Sequence, residues 1–598
     1  MTAATVGPVP RTSPPADALL LDAYAARSCP VKTQNTYDPT VETRPEEPSD
    51  ALAELFAGGA RFEAEVMAAW AERCPGLVDL RGFGGSAADR VQACLTALRG
   101  GAPVVLGGWL PPDRAGHRSG RPDALVRGAD RPDGRPTYTP VEVKFHKIAD
   151  RHRPRPDEVA PRVLAYSTLD RPAPEHRRVL PGHGLRFGRR EGDFLQLAHY
   201  HRMLQAAGLA GPVPLGGLIG TDGLHPEPVV AWADLGQPVV RTFSRTAPEG
   251  WQLRSLLERY DHEHGFRVAV ATAARAQTGR ADRDPPRLVT PIRIRECASC
   301  QWWQRCRPQF DPDDVSLRID VAPLDPREIA ALRRRGLGTV RDLAAADLEA
   351  LLPGYLLEVT HRPGAEGRVR TAARRARLLV AGTSFVRDTE GSIEVPAAEV
   401  EVDFDIETAV SGRIYLWGFL VRTPTDPGGS SVQFSRFAEL DEDAEAALAE
   451  EALGWLRELV EGSRSVAVYH YSGYEVAMLG ELARRRPSPT LTWAATYASR
   501  EFVDLLEIVK RHFFGVAGLG LKRVAREAGF RWRDEDPGGL NSQRWFTEAV
   551  HGETVEQRAA AVRRVLEYNE DDVRATREVR AWLRGPSSTP EPAATPGS

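Results

Sequence analysis

The chain has 598 residues, 42% hydrophobic and 27% charged, with a formal net charge of −4. That length fits about four ordinary domains or fewer large ones, and the charge balance excludes a globally basic nucleic-acid binder, so any such affinity has to come from local grooves. Only five of the 78 basic residues are lysine (Lys32, Lys144, Lys147, Lys510 and Lys522). None follows a glycine, which excludes a G-x4-G-K-[ST] phosphate loop and with it an ATP site of that type. No apolar run is long enough to span a bilayer, and the first 15 residues lack the apolar core of a secretory signal. A cytoplasmic location is the expectation.

In chain order, residues 1–15 and 586–598 are rich in Pro, Ser, Thr and Ala and are predicted to be unstructured tails. Residues 16–310 mix helical stretches with short strands, with long Arg/Pro/His-rich loops predicted around 109–136 and 146–190. Within them, residues 139–145 alternate with period two: Val141, Val143 and Phe145 on one strand face, Glu142 and Lys144 on the other. Upstream, Asp123 precedes a short apolar stretch, Ala124-Leu125-Val126. Two carboxylates and a nearby carbonyl suit a hard divalent cation, and a lysine beside them can orient or help deprotonate an attacking water. Further on, Gln196 and Tyr200 stand four apart on one predicted helix face.

Six cysteines make no disulfide scaffold. Cys297, Cys300 and Cys306 form C-x2-C-x5-C, and Cys29 stands far upstream. Four thiolates suit an iron–sulfur cluster or a structural zinc. Cys74 and Cys94 read as core residues. Residues 324–360 read as short helices around a Gly336-Leu337-Gly338 turn, somewhat like a helix–hairpin–helix that would offer backbone N–H groups to phosphates; plain helical packing fits equally well. From about 396 strands and helices alternate. Residues 401–408 place Val402, Phe404 and Ile406 on one face and Asp403, Asp405 and Glu407 on the other, a row too repulsive for a bare surface without cations. Residues 466–475 read as a strand running into a helix with Glu475, and Tyr568 and Asp572 form Y-x3-D on a predicted helix.

These motifs carry two resemblances. Asp123 with Glu142-Val143-Lys144, the later Gln196 and Tyr200, and Gly59-Ala60-Arg61-Phe62-Glu63 upstream resemble the RecB-like PD-(D/E)xK nucleases, in which Glu63 (Glu65 in a shifted register) would help bind metal alongside Asp123 and Glu142. The cysteine spacing is similar to the iron–sulfur subclass of that group. The resemblance implies a 4Fe-4S cluster on Cys29, Cys297, Cys300 and Cys306, with zinc as the alternative, stapling segments about 270 residues apart in sequence. The C-terminal motifs resemble the RNase H-like exonucleases of the DnaQ (DEDD) group. That resemblance implies Asp405 and Glu407 as the first motif, Glu475 as the second-motif acid and Tyr568 with Asp572 as the third, holding two Mg²⁺ or Mn²⁺, with Tyr568 orienting the water. Glu475 departs from the usual Asp, and one extra methylene can misplace a metal, so an inactive scaffold stays open. Lys522 and Asp504 read as structural or substrate-contacting.

The expected fold is α/β: a restriction-endonuclease-like PD-(D/E)xK domain over 16–310, a small helical connector over 311–395 and an RNase H-like domain over 396–585. The implied activity is metal-dependent hydrolysis of DNA phosphodiesters at single-stranded or flapped ends, in repair or recombination, with a second 3′–5′ exonuclease-type domain. Two alternatives remain: an adaptor with one or both sites inactive that serves a separate helicase, and an RNA-processing nuclease.

Overall fold

The computed structural model describes residues 19–42, 50–151, 163–187, 190–223, 225, 227–280, 282–534 and 539–585. Both predicted tails lie outside the described residues.

Eight short strands form the first sheet: β1 (Val78–Asp79), β2 (Val104–Leu106), β3 (Ala124–Arg127), β4 (Tyr138–Val143), β5 (Leu164–Thr168), β6 (Arg178–Leu180), β7 (Leu215–Ile219) and β8 (Val229–Asp234). Their order is β1-β2-β3-β4-β7-β8-β5-β6. β2, β3 and β4 run antiparallel in succession, and β7 then joins β4 in parallel. A parallel return needs a crossover, supplied here by a helix over Glu191–Ala206. The expected loop over 146–190 is thus partly strand: β5 and β6 lie within it and extend the sheet.

Helices flanking this region include α1 (Pro30–Tyr37), α2 (Asp50–Arg73), the crossover helix α3 (Glu191–Ala206) and α4 (Leu256–Arg275), and a further helix over Ala87–Arg99 packs beside β2. Val66, Met67 and Trp70 of α2 pack against Val141 and Val143 on one sheet face. Leu197 and Ala198 of α3 cover the other, against Leu218. β4 is therefore buried along its whole length, so the face carrying Glu142 meets α3 rather than solvent. The strand ends at Val143, one residue before Lys144. Cys74 and Cys94 are buried.

The middle of the chain has a core of its own, running from Val315 to Ala376. Helices Pro326–Arg333 and Val340–Ala345 flank the turn in which Gly336 adopts φ +75°, a left-handed conformation that glycine takes without steric cost.

The second sheet contains β9 (Val400–Thr408), β10 (Ile414–Thr423), β11 (Asp426–Ser435), β12 (Val466–His470) and β13 (Val503–Asp504), in the order β11-β10-β9-β12-β13. β9, β10 and β11 are antiparallel; β12 and β13 are parallel to β9 and β12 respectively. Val402, Phe404 and Ile406 point into a core with α5 (Glu442–Gly462), and α6 (Tyr474–Arg485) follows β12. Near the C-terminus, α7 (Gly539–His551) leads into the 30-residue helix α8 (Val555–Arg584), which lies on the acidic face of β9. Among the described residues no helix is long and apolar enough to cross a membrane.

The two regions touch through a loop and helices rather than through their sheets. Lys147 Nζ reaches Glu481 Oε2 of α6 at 2.7 Å, and α2 packs against α7.

Candidate active sites

At the end of β4 the structure brings together Asp123, Glu142, Lys144, Gln196 and Tyr200. Antiparallel pairing of β3 with β4 places Asp123 beside Glu142: the Asp123 amide donates to Glu142 Oε1 at 3.3 Å, and Asp123 Oδ2 accepts from the Val143 amide at 2.8 Å. Lys144 Nζ donates to Glu142 Oε2 at 2.7 Å and to Gln196 Oε1 at 3.1 Å. Gln196 Nε2 donates to Glu142 Oε2 at 2.8 Å, and the Tyr200 hydroxyl donates to the Arg121 carbonyl at 3.1 Å. Burial pushes the Glu142 carboxyl up to about 8 and Asp123 up to about 6. Burial alone would pull Lys144 down, but Glu142 and Asp123 outweigh it and raise it. The pocket is short of positive charge even with its lysine in place, as a divalent-cation site would be.

Glu63 is exposed on α2, within the field of Glu142 and Lys144; Glu65 is exposed two residues on. Glu63, Asp123 and Glu142 do not converge within 4.8 Å of one another. Two participants escaped the sequence reading. Arg27 donates to Gln196 Oε1 at 2.7 Å and faces Asp193 at 3.0 Å, and Tyr24 lies in the field of Lys144, Glu142 and Asp123. Their only sequence signal is proximity to Cys29.

Cys29, Cys297, Cys300 and Cys306 line one small pocket, together with Lys32, Glu296, Trp302 and Trp303. All four are free thiols. The Cys29 amide donates to Glu296 Oε2 at 2.9 Å, and Lys32 Nζ to Glu296 Oε1 at 2.5 Å. Burial raises Cys29 and Cys300 and pushes Cys306 up to about 11. No three of the four sulfurs lie mutually within 4.8 Å.

The second acidic site sits between β9 and α8. Asp405, Glu407 and Asp572 each bring a carboxylate oxygen within 4.8 Å of the others, and among the described residues this is the cluster of three or more such ligands that meets that spacing. Burial, then the neighbouring carboxylates, hold Asp405 well above the usual range and push Glu407 up to about 8. Burial raises Asp572 against the pull of Lys522. Asp405 Oδ2 accepts from Asn569 Nδ2 at 3.0 Å, Glu407 Oε2 from the Ser542 hydroxyl at 2.8 Å, and Asp572 Oδ1 from Trp532 Nε1 at 2.6 Å. Lys522 Nζ donates to the Tyr568 hydroxyl, whose pKa is raised by burial and then by Asp572. Glu475 is buried and its charge reaches Asp405, but it stands outside the cluster of three, with Oε2 3.4 Å from His470 Nδ1. Asp504 has a structural role: it accepts from the Ser472 and Leu506 amides at 3.1 and 2.9 Å.

Sequence reading missed Asn569, Trp532 and Ser542. Asn569 was within reach, because it adjoins Tyr568 and needs a gap in the facing strand. Gly418 pairs with Asp405 across β9 and β10, and a Cβ there would stand 1.8 Å from Asn569 Oδ1. The acids of β9 also divide. Asp403 and Glu401, one and two steps back on the same face, are not part of the cluster: Arg580 forms a buried fork on Asp403 at 3.1 and 2.7 Å and also binds Glu401, which Arg584 contacts at 2.6 Å.

Strand order, direction and this acid cluster define an RNase H-like α/β domain. Residues 402–584 match the family model of the RNase H superfamily. No curated protein and no solved structure matches the chain.

Proposed function

We propose that the chain is a metal-dependent nuclease with two hydrolytic sites, acting on DNA at single-stranded or flapped ends. The observation that carries this reading is the convergence of Asp405, Glu407 and Asp572 with no ion pair of their own among the described residues and only the field of Lys522 upon them, Asp405 and Glu407 lying on the very strand whose other acids are neutralised by Arg580 and Arg584. Buried carboxylates left unpaired are costly unless a cation joins them. Asp405, Glu407 and Asp572 would hold Mg²⁺ or Mn²⁺, which when bound supply charge stabilisation at the attacking and leaving oxygens of the phosphodiester. Tyr568, with Lys522 on its hydroxyl, would orient the attacking water.

The first site supports a PD-(D/E)xK-type reading through its topology, three antiparallel strands, a crossover helix and a parallel fourth strand, and through Lys144 bridging Glu142 and Gln196. Asp123 and Glu142 would hold the cation there, with Glu63 alongside. Lys144 would hold or pass a proton at Nζ. For the cysteine pocket we favour a 4Fe-4S cluster over zinc: tetrahedral Zn–S bonds of about 2.3 Å would draw the four sulfurs to within about 4 Å of one another, whereas no three of them stand mutually within 4.8 Å. A brown anaerobic preparation with broad visible absorption supports the cluster, and a colourless one with stoichiometric zinc overturns it. Work in DNA repair or recombination beside a separate helicase, in the cytoplasm, completes the proposal.

One observation favours the adaptor reading for the second site: Glu475 contacts His470 instead of joining the other three acids. The test is degradation of end-labelled DNA and RNA with Mg²⁺ or Mn²⁺ by the wild type, Glu142→Ala and Asp405→Ala. Loss in each variant supports two working sites; loss in Glu142→Ala alone supports a silent second site, and turnover surviving both substitutions overturns the assignments.

A further inference from the structure

The chain contains 13 tyrosines, all described, and only Tyr24 and Tyr474 are exposed residues, at 54% and 47%. Each stands at an acidic site. A half-exposed aromatic ring is ordinary when isolated; two that single out the two candidate sites call for a reason.

Tyr474 carries the stronger argument. It opens α6 immediately before Glu475, and its hydroxyl lies 3.1 Å from Thr408 Oγ1, at the end of the strand bearing Asp405 and Glu407. The fields of Glu475, Glu407 and Asp405 reach it. The hydroxyl is anchored while the ring stays open: among the described residues no aromatic ring or guanidinium stacks on it, whereas a guanidinium lies 5.5 Å from the ring centre of Tyr24. The backbone that presents the ring is strained. Ser472 adopts φ +100°, a left-handed-side conformation that is uncommon for a residue with a side chain. Two contacts hold it there: its amide donates to Asp504 Oδ1 at 3.1 Å, and its carbonyl accepts from His470 Nδ1 at 2.5 Å. Strain fixed by these two partners, the buried His470 and the half-buried Asp504, turns the chain out of β12 so that Tyr474 emerges beside the carboxylates.

We propose that Tyr474 is a stacking platform for an unpaired base of the nucleic acid whose phosphodiester enters the second site. Every base has a π-face, so such a ring binds without reading sequence, and a base within a duplex cannot offer that face. The platform would therefore select single-stranded ends. This inference rests on the nucleic-acid reading of the site above.

The test uses single-stranded oligodeoxynucleotides carrying 2-aminopurine at each position in turn, bound in Ca²⁺ to the wild type, Tyr474→Phe and Tyr474→Ala, with anisotropy reporting affinity and 2-aminopurine emission reporting stacking. Quenching at one position in the wild type and in Tyr474→Phe, lost in Tyr474→Ala together with about tenfold weaker binding, supports the platform. Tight binding with the same emission in Tyr474→Ala overturns the platform and leaves the nuclease reading standing. A wild type that binds no strand overturns both.

Discussion

The two acidic sites solve the same electrostatic problem in opposite ways. At the first, a cation is built in: Lys144 lies on Glu142 while the Asp123 carboxylate accepts from the Val143 amide. At the second, three carboxylates converge and the nearest lysine, Lys522, is spent on the Tyr568 hydroxyl. The contrast repeats within β9 itself, where Glu401 and Asp403 are closed off by arginines and Asp405 and Glu407 are left open. Arg580 and Arg584 reach the first pair because α8 runs along the strand with Tyr568, Asp572, Thr576, Arg580 and Arg584 four residues apart on one face. Whether a strand acid is structural or available to a metal is thus decided by which turn of the covering helix lies above it.

The sharpest way to break this contrast is Arg580→Met. It leaves Asp403 buried without its fork, while Glu401 keeps Arg584 and Arg422, and removing one partner of a buried pair costs about 3–5 kcal/mol. Chemical denaturation should register that loss, and a loss below about 1 kcal/mol would mean the arginine half of the strand is not neutralised as described. Next, Asp405→Asn and Glu142→Gln should each lower turnover at their own site by about a hundredfold or more. Single-site cleavage products, resolved with 5′ and 3′ labels, would show whether either substitution also silences the other site.

Acid should separate the two regions. Buried in the first are His199, held down to about 3, and His201 and His264, each to about 4, by desolvation. The His199 ring is locked by the Ser119 carbonyl and the Tyr260 hydroxyl. The unfolded chain takes up these protons below about pH 6.5 and the folded one does not, so their contribution is complete above about 6.5 and is lost as pH falls toward 4. The slope is up to about 1.4 kcal/mol per pH unit for each histidine. Hydrogen exchange should show the first region opening before the second on acidification, and His199→Gln should flatten the profile; simultaneous opening would refute the assignment. The smallest effect belongs to the joint between regions. A double-mutant cycle on Lys147 and Glu481, both partly exposed, should give a coupling of about 0.2–1 kcal/mol.

Much of this was legible in the chain itself. Period-two alternation located β4 and β9, the four-residue spacing of Gln196 and Tyr200 and of Tyr568 and Asp572 placed both pairs on helices, and the clustered cysteines marked one pocket. Alternation could not separate Asp403 from Asp405, since both lie on one face; the register of α8 separates them. Nor could any local pattern foretell that Arg27 reaches Gln196 across 169 residues, that Ser542 holds Glu407, or that the segment after Lys147 adds strands to the sheet. Residue type and short-range spacing follow from backbone geometry and are written in the sequence. Which charges end up neutralised, and which are left facing one another, depends on helices arriving from more than a hundred residues away, and only the tertiary structure decides it.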